Sequence, residues 1–179
     1  MKIESWEAER RAALAAADAM VAAARTAPKA CGKDHLKMVI LSEEDKDALA
    51  EEMRAVAADT GQTFFERDAD NVDQSLFLIV IGVTSEPRGL ANCGLCGYKD
   101  CAQMEKNNGR CAMNLTDLGI AIGSAVSIAA DCRVDNRVMF SAGIAARNLK
   151  LLSGDVKICY GIPVSVSGKS PYFDRGQKK

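Results

Sequence analysis

Four cysteines fall in one short stretch: Cys93, Cys96, Cys101 and Cys111, with two, four and nine residues between successive thiols. Thiols this dense suit three chemistries: a disulfide knot, a zinc site or an iron–sulfur cluster. The total of seven cysteines leaves an odd thiol in any set of disulfides. The chain starts with Glu4, Glu7 and Glu9 ahead of an alanine-rich run, not with the basic start and apolar middle of a signal peptide. A cytoplasmic chain with reduced thiols is therefore expected, and a disulfide framework is disfavoured.

Zinc sites usually combine two close pairs of ligands. Cys93 and Cys96 make one such pair, but Cys101 and Cys111 are too far apart to make the other in the usual way. Three close thiols with a fourth more distant is a common iron–sulfur pattern, because one cluster takes four thiolates. The residues between them suit that reading. Gly94 and Gly97 permit a tight wrap with backbone N–H groups turned to sulfur, which raises reduction potential. Lys99, Lys106 and Arg110 offset part of the thiolate charge. A structural zinc module that only fixes a loop for protein contacts stays open as the alternative.

The elements that must hold this stretch can be read from the pattern. Residues 3–26 predict a helix, with Leu14, Ala17, Met20, Val21 and Ala24 at helical spacing, ended by Pro28 and Gly32. Leu36–Leu41 predicts a short buried strand. Ser42 then caps a helix to Asp59, with Glu43, Glu44 and Asp45 in its first turn, where the helix dipole favours acids. Thr63–Phe65 reads as a short strand and Asp68–Gln74 as a polar loop. Leu76–Val83 is an unbroken apolar run, as in a strand buried on both faces. After Cys111, Asn114–Asp131 is apolar almost all round and predicts a helix in the middle of the domain, with Gly119, Gly123 and Ser127 on one close-packing face. Arg137–Phe140 predicts a strand, Ala142–Leu152 a helix, and Val156–Tyr160 a strand turned by Gly161-Ile162-Pro163. The cysteine segment, residues 90–112, is thus an insertion in a single α+β domain spanning 1–179.

Composition excludes some classes. Lys+Arg 23 against Asp+Glu 24 gives a net charge of −1, with no broad basic excess for nucleic acid. The longest apolar runs, Leu76–Val83 and Leu118–Ala130, fall short of the roughly 20 residues of a membrane span. His35 is the sole histidine and suits a strand-end role. Cys159 in an apolar strand and Cys132 after the long helix read as packed core thiols. No phosphate-binding loop or dinucleotide glycine fingerprint is present.

Two resemblances add to this. Cys93-Gly-Leu-Cys-Gly-Tyr-Lys-Asp-Cys101 resembles the CxxCGYxxC run of [4Fe-4S] domains in anaerobic electron-transfer proteins. The stretch from Asn92 to Arg175, about half the chain, is similar to an uncharacterised prokaryotic family containing a ferredoxin domain. The matching pieces are Asp117–Val126, Val134–Arg137, and Gly161-Ile-Pro163 through Gly168-Lys169 to Phe173-Asp-Arg175. That likeness implies a [4Fe-4S] cluster on Cys93, Cys96, Cys101 and Cys111, and a redox partner protein. Ala23–Ala30, the strand after it and the late Gly161-Ile162-Pro163 also resemble flavin-dependent nitroreductases, which implies a two- or three-layer nitroreductase-like α+β fold, a homodimer and FMN, with Arg25, Lys33 and Arg175 as candidates for the flavin phosphate. Lys29 stands where that family's turn has serine, and Arg10-Arg11 lies closer to the Ala27-Pro28 turn than its paired arginines do.

Overall fold

The computed structural model describes residues 1–173 and places a four-stranded antiparallel sheet between two groups of helices. In chain order the elements are α1 (Ser5–Thr26), a 3-10 turn (Ala30–Gly32), β1 (Leu36–Leu41), α2 (Glu43–Thr60), α3 (Phe64–Asp73), β2 (Phe77–Thr84), α4 (Cys101–Lys106), α5 (Ala112–Asp131), β3 (Asp135–Asn136), α6 (Phe140–Asn148) and β4 (Val156–Ser165). The sheet order is β1-β2-β4-β3.

The period of two along β2 explains the layering. Phe77, Ile79, Ile81 and Val83 pack with α1 and α5, while Leu78 and Val80 pack with α2, α3 and α6. Every residue of β2 is buried, as its unbroken apolar run predicts. The α1–α5 contact is built from small residues. Ala13, Ala16, Ala17 and Ala24 meet Ala121, Ala125 and Ala129, and the Ser124 hydroxyl donates to the Ala23 carbonyl at 3.0 Å. On the other face α6 lies close on β4. A Cβ at Gly143 would stand 1.9 Å from the Cys159 carbonyl oxygen, and one at Gly161 would stand 2.5 Å from the Ala142 Cβ.

Five expectations need correction. The strand at Thr63–Phe65 and the loop at Asp68–Gln74 are together α3. Its core face carries Phe65, Asp68, Ala69 and Val72 at helical spacing, and two polar residues buried there, Asp68 and Asn71, find distant partners. Ser141 Oγ donates to Asp68 at 2.7 Å, and Asn71 Nδ2 donates to the Pro171 carbonyl at 3.0 Å. Gly161-Ile162-Pro163 does not turn the last strand, which runs on to Ser165. Gly161 exchanges both backbone bonds with Met139, whereas the Val164 carbonyl accepts from Leu76. Pro163, in the same alternation as Gly161, therefore turns its missing N–H away from β2. The strand expected at Arg137–Phe140 is reduced to Asp135–Asn136 and a single bridge at Met139, because α6 starts at Phe140. Finally, α5 is not enclosed. Leu115 and Ile120 are exposed, and a Cβ at Gly119 or Gly123 would meet nothing within 4 Å. Starting at Ala112, α5 has 20 residues, so by length and composition alone it is long and apolar enough to cross a membrane. Its inner face carries Asn114 and Asp117 and packs on the sheet and α1.

The end of the described chain is clamped. Tyr172 is buried with its hydroxyl 2.9 Å from Ser75 Oγ, and Arg137 donates to its carbonyl at 3.2 Å. The resembling pieces around Arg137 and Phe173 thus meet in space.

Candidate functional site

Residues 85–111 join the central strand β2 to α5. The segment winds tightly: Asn92, Gly94 and Gly97 all have positive φ, and Gly97 N–H donates to the Gly94 carbonyl at 2.9 Å. Left-handed backbone of this kind suits glycine and, next, asparagine. At α4 the backbone is held by a reciprocal cap. Asp100 accepts from the Gln103 N–H at 2.8 Å, and the Gln103 side chain accepts from the Lys99 N–H at 2.8 Å. The far end closes on Gly109, whose N–H donates to the Met104 carbonyl at 2.8 Å; a Cβ there would stand 2.7 Å from the Tyr98 ring.

These turns bring Cys93, Cys96, Cys101 and Cys111 to the wall of one cavity of about 370 Å³, counting the space open to solvent. All four are half-buried and free. The rest of the wall is mostly apolar, with Leu90, Tyr98, Met104, Ala112 and Met113, plus Asp100 and Arg88. Cys111 immediately precedes α5 and is its N-cap residue. Among the described residues, no three His, Cys, Asp or Glu side chains converge on a single ion. The thiols surround a space instead. Four thiols on one wall form a donor set of the number that a four-thiolate group takes.

The positive charge at this wall is not the one expected. Lys99 and Lys106 do not line the cavity, and Arg110 donates to the Asn108 and Gly109 carbonyls. Arg88 lines it, 3% exposed. Its Nη2 pairs with buried Asp117 of α5 and its Nη1 donates to the Lys33 carbonyl. Asp117 also accepts from the Ala30 N–H at 3.0 and 3.1 Å. Asn114, one turn earlier on α5, donates to the Thr84 and Glu86 carbonyls at 3.2 and 2.7 Å and so pins the start of the segment.

Two of the three candidate flavin-phosphate residues lie among the described residues. Arg25 Nη1 donates to Asp34 at 2.5 Å and to the Leu36 carbonyl at 3.1 Å. Partial burial works to raise the pKa of Asp34, but Arg25 and the Leu36 N–H hold its carboxyl below the usual range. Lys33 reaches the Arg88 carbonyl at 3.5 Å. Arg175 lies outside the described residues. Arg25 and Lys33 thus both make contacts within the chain. His35 sits at the strand end, 3.3 Å from Thr84 Oγ1 and from Glu86. Cys132 and Cys31 are exposed, against the expectation of a packed Cys132, while Cys159 is buried as expected.

Comparison with known proteins adds three findings. Residues 107–175 match a family described as an uncharacterized protein containing a ferredoxin domain; of the four clustered cysteines only Cys111 lies within the match. An uncharacterized protein of Archaeoglobus fulgidus is 38% identical over 168 residues, covering 89% of this chain and 90% of that one. Among solved structures, an oxidoreductase containing FMN superposes with a TM-score of 0.59 at 13% identity, over 87% of this chain and 67% of that one. An FMN-dependent nitroreductase from Clostridium difficile R20291 gives 0.55 at 15% identity, over 87% and 76%. NfrA2 of B. megaterium gives 0.54 at 14% identity, over 87% of this chain, which spans 58% of its length. The α+β fold is that of the nitroreductase-like flavoproteins.

Proposed function

Since the chain belongs to the family of uncharacterized proteins containing a ferredoxin domain, we propose that it is an iron–sulfur electron-transfer protein on a nitroreductase-like fold. Cys93, Cys96, Cys101 and Cys111 would hold one [4Fe-4S] cluster. The observation that supports this is the single cavity walled by all four thiols. Such a cluster supplies one-electron chemistry. The chain's own residues position the thiols through the Asp100–Gln103 cap and the Asn114 anchor, and keep the wall apolar with Tyr98, Met104 and Met113. Leu95, 66% exposed between two of the cysteines, offers an apolar spot for a redox partner protein. The reading takes 1–179 as one domain with the cluster segment inserted at 90–112, in a reducing cytoplasm where its free thiols persist.

The experiment is anaerobic purification with metal analysis. A brown protein with about four irons per chain is expected, and Cys96→Ser should lose most of the iron and colour. Equimolar zinc, or a Cys96→Ser variant that keeps full colour, would overturn the assignment.

A second reading, an FMN oxidoreductase, draws its support from the fold shared with the FMN proteins. Arg25 is engaged by Asp34 and Lys33 by the Arg88 carbonyl, and no electron path is assigned through a flavin. A yellow chromophore released on denaturation would favour this reading. The apolar open face of α5, with Leu115 and Ile120 beside Gly119 and Gly123, supports a homodimer in either case.

A further inference from the structure

The guanidinium of Arg88 is buried beside the cysteine cavity with its terminal nitrogens committed, Nη2 to Asp117 and Nη1 to the Lys33 carbonyl. Its Nε–H is also buried and has no acceptor among the described residues. A buried donor without a partner is costly, and a charged one more so. Native proteins leave few such groups, and those they leave are commonly explained by a ligand or ion. The acceptors a four-thiolate cluster would bring to this wall are sulfur atoms. We infer that Arg88 is a positioning residue for the proposed cluster, presenting Nε–H to cluster sulfur and raising its reduction potential. The inference rests on the iron–sulfur reading of the cavity.

Two features make this more than charge at a distance. The partners of Arg88 fix its orientation from three parts of the chain: Asp117 on α5, the Lys33 carbonyl after the 3-10 turn, and its own place between Pro87 and Gly89. Asp117 is itself held by the Ala30 N–H, so the pair cannot readily swing out to water. A hydrogen bond to sulfur and a nearby positive charge both stabilise the more negative, reduced cluster. The Asp117 carboxylate works in the opposite sense from the far side of the guanidinium.

Removing Arg88 alone would strand Asp117 as a buried, unpaired charge and endanger the fold. The test therefore uses the full chain, loaded anaerobically, as wild type, Asp117→Asn and the double variant Arg88→Gln/Asp117→Asn. Iron content, circular dichroism and the midpoint potential by spectroelectrochemical titration are read for each. The double variant should retain iron but have a lower potential, by about tenfold in the reduction equilibrium, or ~59 mV for one electron. Asp117→Asn, which keeps the arginine, should move it upward. Unmoved potentials in iron-loaded variants overturn the role of Arg88 while leaving the cluster standing. Should the double variant not fold, Arg88→Lys decides, since it keeps a positive charge beside Asp117 and removes the Nε–H: a lowered potential supports the role and an unchanged one removes it. A wild type without iron removes the cluster reading, and this role with it.

Discussion

The thiol of Cys159 donates to the Gly143 carbonyl at 2.9 Å, and burial pushes its pKa up to about 11, with Arg147 pulling weakly the other way. Cys31 and Cys132 are exposed. A maleimide applied to the native protein below pH 9 should label Cys31 and Cys132 quickly and Cys159 only after unfolding, as mass spectrometry of the digests would show. The pH dependence follows. In the unfolded chain the Cys159 thiol ionises near 9.0, while in the fold it keeps its proton to about 11. Its contribution to stability is therefore intact below pH 9 and is lost as pH rises through about 11. Thermal melts of Cys159→Ala should show a shallower alkaline decline than wild type. At this scale the meeting of the four clustered cysteines at one cavity was legible because they lie close in sequence. Arg88 was not: its partner Asp117 is 29 residues away with no spacing to announce it.

The contact of α6 on β4 has no room for a methyl group at Gly143, since a Cβ there would lie 1.9 Å from the Cys159 oxygen. Gly143→Ala should lower stability by about 3 kcal/mol or more in urea denaturation, because backbone rather than a flexible side chain stands in the way. Gly119→Ala on the open face of α5 is the matching control and should stabilise slightly, by about 0.5–1 kcal/mol, through helix propensity. Elements whose pattern follows their own burial were legible: β1, β2, α1 and α2 lie close to where periodicity places them. α3 was not, because Asp68 and Asn71 look like loop residues until Ser141 and Pro171 supply their partners. β4 was cut short in the same way, since only the register with Met139 shows that Pro163 gives up no bond to β2.

Two helical layers enclose the sheet, yet α5 keeps an uncovered apolar face alongside an exposed Trp6 and Leu14 on α1. If that face joins two copies, Ile120→Glu should weaken their association by about a hundredfold or more, as a charge would be buried. Sedimentation velocity would show this as a shift from dimer to monomer; a wild type that sediments as a monomer throughout would remove the homodimer. The three-layer arrangement itself was half legible. The apolar run of β2 required cover on both faces, but nothing in the pattern of α5 said that one of its sides would stay open. The reciprocal cap between Asp100 and Gln103 has a consequence of a different kind. It holds the turn before Cys101 with carboxylate, amide and backbone groups, and uses no sulfur. In the proposed iron–sulfur reading, loss of iron from the thiols would leave those bonds untouched. The emptied turn would then keep the shape into which a fresh cluster is loaded.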